Sequence, residues 1–91
     1  MLTMPIVNGN GDRVETLLEQ ARNVCEALRV AKSTMCEAMP HGRNFQCNPS
    51  GDYQKARDEM YSMMEQIDAM TQTFYQMADT LCDERNRRNR R

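Results

Sequence analysis

The sequence predicts an all-α protein, an antiparallel two-helix coiled-coil hairpin that oligomerisation completes into a bundle. Two long segments repeat apolar residues in steps of three and four, the period of helices that pack on other helices. Residues 39–51, which contain prolines and glycines, separate the two segments. Nine methionines and no tryptophan favour an adaptable helix-packing core over a rigid aromatic one.

The length and charge limit what the chain does. Ninety-one residues allow one domain with a thin core, which favours self-association. The arginines of residues 85–91 supply +5 of a net charge of −1, so residues 1–84 carry −6. An acidic body argues against coating nucleic acid or an anionic membrane. The chain shows no secretory signal and no apolar run long enough to span a membrane, so we expect a cytoplasmic protein with reduced cysteines.

Residues 1–11 are predicted to form a flexible N-terminal arm. Pro5 interrupts a short apolar piece, and the turn-forming sequence of residues 8–11 follows it. A second interpretation is an arm that packs on a neighbouring subunit.

The first helix is predicted over residues 12–38. Asp12 and Glu15 resemble an acidic capping box at its start, and Pro40 ends it by disfavouring helical dihedrals at Met39. Its seam is interrupted only by Lys32 and comprises Val14, Leu18, Ala21, Cys25, Leu28, Met35 and Met39. A second stripe widens the apolar face and comprises Leu17, Val24, Ala31 and Ala38.

The second helix is predicted over residues 52–84, with Ser50 or Asp52 as its N-cap. Its seam alternates steps of three and four without a fault and comprises Tyr53, Ala56, Met60, Met63, Ile67, Met70, Phe74, Met77 and Leu81. A wider apolar face beside it comprises Tyr61, Met64, Tyr75 and Ala78. This width predicts a homo-oligomer, because a lone hairpin would expose too much apolar surface.

The arginine-rich tail, residues 85–91, has two interpretations: a solubilising segment, or a segment that binds the phosphates of nucleic acid. Its cationic residues are Arg85, Arg87, Arg88, Arg90 and Arg91.

Catalysis and metal binding have little support in the sequence. A single histidine has no nucleophile in a recognised pattern beside it, so we expect no enzyme and no cofactor. Cys36, His41 and Cys47 bracket the loop with zinc-type ligands, but three ligands are too few for a closed structural site. We therefore predict no metal.

The loop contains a candidate anion site. His41, Gly42, Arg43 and Asn44 place several hydrogen-bond donors within four residues, and phosphate is the natural guest of such donors. The amides at the start of the second helix, near residues 50–53, would add the positive end of its dipole. The alternative is a loop in which Arg43 and Asn44 only tie down helix ends.

The loop sequence Pro40-His41-Gly42-Arg43-Asn44-Phe45, followed by residues 53–59, resembles small uncharacterised phage and prophage proteins. Those proteins carry a His-Gly-Arg-(Asp or Asn)-aromatic loop between two helices. In size and architecture the chain also resembles phage proteins that sequester cyclic-nucleotide immune signals, although their residue motifs are absent.

Together these features predict a non-enzymatic, phage-type anti-defence protein that sequesters a phosphorylated small ligand, such as a cyclic nucleotide, at loops between subunits. Its ligand-binding residues would be His41, Arg43 and Asn44 for phosphate, with Phe45 or Tyr53 stacking on a base. One alternative is a coiled-coil module that binds or inhibits a host or phage protein. Another is nucleic-acid binding through the tail.

Overall fold

The computed structural model describes residues 2–9 and 11–89, and all regular structure in them is helical. Helix α1 spans Val14–Glu37, a short 3-10 turn spans Gly42–Phe45, and helix α2 spans Asp52–Asn89. The two α-helices pack against each other, which confirms the predicted helical hairpin. The molecule measures 66 × 20 × 20 Å. Neither described helix contains an apolar stretch of the length that a membrane crossing requires.

Helix α1 begins later than predicted and without the predicted cap. Arg13 is the N-cap residue, and no side chain accepts a hydrogen bond there, so the capping box of Asp12 and Glu15 is wrong. Val14, the first helical residue, is 5% exposed. Burial of this side chain therefore anchors the start of the helix, whereas side-chain capping does not.

The seam of α1 faces α2 as predicted. Its buried residues are Val14, Leu18, Ala21 and Cys25. Lys32, the one polar residue in the seam, reaches sideways to Asp68 of α2, with 2.8 Å between Nζ and Oδ1. At the far end Ala38 caps the helix, donating its N–H to the carbonyl of Met35. The chain leaves helical geometry before Met39, as expected for the residue preceding Pro40.

The predicted seam of α2 is wrong in part. Met63 and Met70 are 45% and 47% exposed, whereas Met64 is only 9% exposed. Ala78 packs against the buried cluster of Val14, Leu18 and Leu81. The observed seam keeps the predicted positions 60, 67, 74 and 81. Its other positions, 64, 71 and 78, each lie one residue after a predicted seam position.

This register gives the hairpin two different sides. On one side, Lys32 pairs with Asp68, and the Arg22 guanidinium lies 3.7 Å from the sulfur of Cys82. We call this the bridged flank, and its charged residues are Glu15, Glu19, Arg22, Glu26, Arg29, Asp58, Glu65, Asp68 and Asp79. In an antiparallel helix pair, the two faces that form one side of the pair occupy equivalent heptad positions in the two helices. The other flanking face of each helix therefore contributes to the opposite side.

Along residues 17–38 of α1 with its cap and residues 63–80 of α2, the other side carries no charged residue, and we call this part the uncharged flank. Its α1 residues, with the cap, are Leu17, Gln20, Val24, Ala27, Ala31, Thr34 and Ala38. Its α2 residues are Met63, Gln66, Met70, Thr73, Met77 and Thr80. Glu59, Glu84 and Arg87 lie at equivalent positions of α2 beyond its two ends. Leu17 and Met77 both pack against the buried cluster of Val14, Leu18 and Leu81, which places the two faces together.

The N-terminal arm lies against its own α2. Val7 packs against the cluster of Val14, Leu18 and Leu81, while Leu2 and Met4 line a small cavity with Thr73, Gln76 and Thr80. The half-buried side chain of Val7 therefore brings the arm into contact with its own hairpin. The flexibility of residues 1–11 stays a prediction. Met1 and Asn10 lie outside the described residues.

Helix α2 continues five residues beyond its predicted end at residue 84. Arg87 forms an ion pair with Glu84, one turn earlier. Arginine is a good helix former, and cations near a helix C-terminus interact favourably with the helix dipole. The predicted tail therefore begins as helix.

Candidate functional site

Four of the five predicted ligand residues, His41, Arg43, Asn44 and Phe45, lie on the 3-10 turn or at its N-cap, and Tyr53 lies in the first turn of α2. The N–H of Asn44 donates to the carbonyl of His41 at 2.9 Å, and the N–H of Asn48 donates to the carbonyl of Phe45 at 3.0 Å. These bonds fix the backbone of the 3-10 turn. His41, Arg43 and Asn44 all expose their side chains there.

His41 has a defined role in this turn. Its Nδ1 accepts a hydrogen bond from the backbone N–H of Arg43 at 3.2 Å, as an N-cap does in a longer helix. Nδ1 therefore holds a lone pair towards the backbone, and Nε2 is the ring atom left to donate to a ligand. The same bond fixes the imidazole beside the start of the Arg43 side chain.

The predicted stacking residues are neighbours. The rings of Phe45 and Tyr53 lie 5.9 Å apart between centroids, tilted by 43°. Gly42 packs beside the same tyrosine, because a Cβ at position 42 would lie 3.8 Å from Tyr53 Cε2. The structure therefore joins the first turn of α2 to the 3-10 turn through one aromatic contact.

Sequence reasoning missed a cation in this cluster. The guanidinium of Arg57 lies 5.8 Å from the ring centroid of Tyr53 and 5.7 Å from that of Tyr61. It also donates to the hydroxyl of Tyr61 at 3.3 Å, and this bond and the nearby tyrosines raise the pKa of Arg57. Positions 53, 57 and 61 are one helical turn apart, and that spacing was the available signal.

The start of α2 is less suited to an anion than its sequence suggested. The Asp52 carboxylate lies in the first turn and accepts a hydrogen bond from Asn48 Nδ2 at 3.2 Å. A fixed negative charge therefore already occupies the positive end of the helix dipole. The exposed donors of the 3-10 turn are therefore better suited to contact phosphate than the start of α2 is.

The cysteines beside the loop do not form a metal centre with His41. Cys36 and Cys47 are exposed free thiols. Among the described residues, no group of three or more histidine, cysteine or acidic side chains is arranged to hold a metal ion.

The C-terminal cations are partly engaged within α2. Arg87 pairs with Glu84, and Arg85 lies one turn beyond Cys82, with 3.7 Å between its Nη2 and the sulfur. The side chain of Arg88 and the whole of Arg90 and Arg91 lie outside the described part of the chain. What is described therefore brings no cluster of free arginines together.

Comparison with known proteins assigns no family to this chain. No protein-family model, no curated protein and no solved structure matches this chain.

Proposed function

We propose that the protein is a non-enzymatic binding protein that holds a phosphorylated small ligand, such as a nucleotide, at the loop end of its hairpin. The observation that carries the proposal is the combination of an ordered turn of exposed donors with an adjoining cluster of aromatic rings and a guanidinium. His41, Arg43 and Asn44 supply the donors, and Phe45 and Tyr53 supply the rings.

The chemistry of a nucleotide matches both halves of this surface. Charge-assisted donors such as a guanidinium bind phosphate oxygens strongly. A base stacks on aromatic side chains, and each such contact contributes about 1–3 kcal/mol in single-stranded nucleic-acid complexes. Arg57, stacked against Tyr53 and Tyr61, adds a second cation beside the rings.

The biological role that follows is sequestration rather than turnover. The site combines donors and stacking surfaces without a nucleophile and base in contact. The loop sequence resembles that of small uncharacterised phage and prophage proteins, which supports a phage-type protein in the cytoplasm of a host cell. The architecture resembles that of phage proteins that sequester cyclic-nucleotide signals, which supports an anti-defence role.

Isothermal titration calorimetry against cyclic and linear nucleotides, with inorganic phosphate as a separate arm, tests the proposal. We expect at least one nucleotide to bind, and Arg43→Ala and Phe45→Ala each to weaken its binding tenfold or more, on the order of one lost charged contact or stacking contact. Arg29→Ala is the matched control, because Arg29 is an exposed arginine paired with Glu26 on the body of α1. Absence of heat with every nucleotide, or unchanged binding by Arg43→Ala, would disprove the site.

A second candidate function is a coiled-coil interaction module, and one observation favours it. Met63 and Met70 are large apolar side chains that stay nearly half exposed along the uncharged flank. Such a surface suits a protein partner, and a host or phage protein is the alternative to another copy of the chain. Light scattering separates the two, since a homo-oligomer that covers the flank leaves no groove for a partner helix.

A further inference from the structure

The hairpin exposes more solvent-accessible surface than is typical of a folded monomeric protein of the same mass. Its solvent-accessible surface is 7083 Å², whereas a folded monomeric protein of 10.6 kDa has about 5,500 Å². The difference, about 1,600 Å², is roughly twice the area that one partner contributes to a standard protein interface. The fold therefore has enough surplus surface for an extensive dimer contact.

The uncharged flank is the side of the hairpin suited to that contact. Over residues 17–38 and 63–80 the bridged flank holds seven charged residues, whereas the uncharged flank holds none. Charged residues are depleted at the core of protein interfaces, and methionine is enriched there. Met63 and Met70, exposed by 45% and 47%, lie on this flank.

The arm leaves the loop half of the flank open. Leu2 and Met4 lie beside Thr73 and Thr80, close to the C-terminal half of α2. Met63, Gln66 and Met70 lie further towards the loop, with Ala27, Ala31, Thr34 and Ala38 of α1 opposite, and all seven are exposed. The open area therefore combines large α2 side chains with small α1 side chains.

This combination is complementary to itself. Cys25 lies level with Thr71, and Lys32 lies level with Asp68. Met70 is consequently level with the interval between Ala27 and Ala31. Met63 is likewise level with the interval between Thr34 and Ala38. If α2 of one copy faces α1 of another at the same height, each methionine fits between two small residues.

Only one two-fold symmetry brings the methionines of one copy to the same height as the small residues of the other. A two-fold axis parallel to the helices places α2 opposite α1 of the second copy and repeats every contact twice, as an isologous interface requires. A perpendicular axis in the interface plane would instead place the methionines against each other and the small residues against each other.

We propose that two copies of the chain pack through their uncharged flanks about an axis parallel to the helices, forming a four-helix bundle with both 3-10 turns at the same end. The interface places Met63 and Met70 of one copy among Ala27, Ala31 and Ala38 of the other. The two loop surfaces then become neighbours.

Light scattering coupled to gel filtration tests the face used. The full chain is expected to elute with twice the mass of 10.6 kDa. Met70→Lys should weaken the dimer on the order of a hundredfold, because each copy would bury an unpaired charge. Val30→Lys is the matched control, since Val30 is 48% exposed, as Met70 is 47%, but lies off the flank. A chain with the mass of one copy, or an assembly that Met70→Lys leaves intact, overturns the proposal.

Spin labels at Cys47 test the orientation. The labelled chain carries Cys25→Ala, Cys36→Ser and Cys82→Ala, so each copy holds one label in the loop. Both labels lie at the same end in the proposed dimer, and pulsed electron resonance should give a distance below about 35 Å. Opposed hairpins would separate the labels by roughly 45 Å, given about 1.5 Å of rise per helical residue. A distance between labels longer than 35 Å overturns a dimer axis parallel to the helices. Neither the light scattering nor the spin-label measurement depends on ligand binding.

Discussion

At the residue scale, Cys25 differs from the other thiols of the chain. It is 6% exposed, and its sulfur lies 3.9 Å from the carbonyl oxygen of Thr71, whereas Cys36 and Cys47 are exposed. Burial raises the pKa of the Cys25 thiol. Because only the thiolate is a nucleophile, burial and the raised pKa both suppress its reactivity.

We therefore predict that a variant retaining only Cys25 reacts with a disulfide reagent far more slowly than variants retaining only Cys36 or Cys47. The reaction should accelerate in denaturant, when the thiol is exposed. Equal rates for Cys25 and Cys36 in the folded protein would contradict the buried position.

The same pKa shift has a consequence for stability. The folded pKa lies above the unfolded value, so the unfolded state loses its proton first as the pH rises. The free energy of unfolding should therefore be highest below the ordinary thiol pKa of about 8.5 and should decrease above it. Cys25→Ala should remove that part of the pH dependence, which denaturant titrations at pH 7 and pH 10 would reveal.

Individual residues also show where prediction from sequence stops. Asp12 and Glu15 have the spacing of a capping box, but a spacing does not reveal that Val14 is buried and fixes the helix start nearby. Arg57 was missed because an arginine on a helix is ordinarily a solvated charge. The helical spacing of these residues permits the cluster, and the placement of Arg57 between Tyr53 and Tyr61 establishes it.

At the scale of elements, the helices could be predicted and the register of α2 could not. Periodicity gives the existence of a helix and the width of its apolar face. Methionines at 63, 70 and 77 lie one residue before Met64, Thr71 and Ala78, so both stripes satisfy the period. Packing against α1 chooses between them, and that choice depends on long-range contacts.

The register makes adjacent methionines differ in their contribution to stability. Met64→Ala should lower the free energy of unfolding by about 2 kcal/mol or more, as expected for truncation of a buried methionine. Met63→Ala should change it by less than about 0.5 kcal/mol at protein concentrations where the chain is monomeric. Denaturant titrations measure both values.

Protein concentration provides the control for this pair. If Met63 lies in the dimer interface, its truncation should cost more at high concentration, because association adds to the apparent stability of the folded state. The cost of Met64→Ala should be nearly independent of concentration. Equal costs for the two variants in the monomer would contradict the observed register.

At the scale of the whole molecule, the chain is long and thin. Its radius of gyration is 19.3 Å, whereas a compact domain of 91 residues has about 12 Å. The sequence predicted this elongation through the two long helices. It did not predict which side would stay open, because that follows from the register of α2.

Small-angle X-ray scattering should therefore show an unusual combination. Two hairpins side by side, with axes about 10 Å apart, have a radius of gyration of about 20 Å, nearly that of one hairpin. The forward scattering should nevertheless correspond to two copies. A radius well above 25 Å would indicate end-to-end association and contradict packing through the flanks.

The positive φ angle of Gly51 can be tested by chemical synthesis. Gly51, directly before α2, has a φ of 94°, and a side chain there would meet no atom within 4 Å. An L-alanine would be strained by roughly 1–2 kcal/mol, whereas a D-alanine has the opposite chirality and suits a positive φ. In a chemically synthesised chain, D-alanine at position 51 should raise the unfolding free energy by about 0.4–1 kcal/mol, because it restricts the unfolded backbone. Mirror-image chemistry at this single position would thus stiffen the junction between the loop and α2 without altering any side chain of the proposed site.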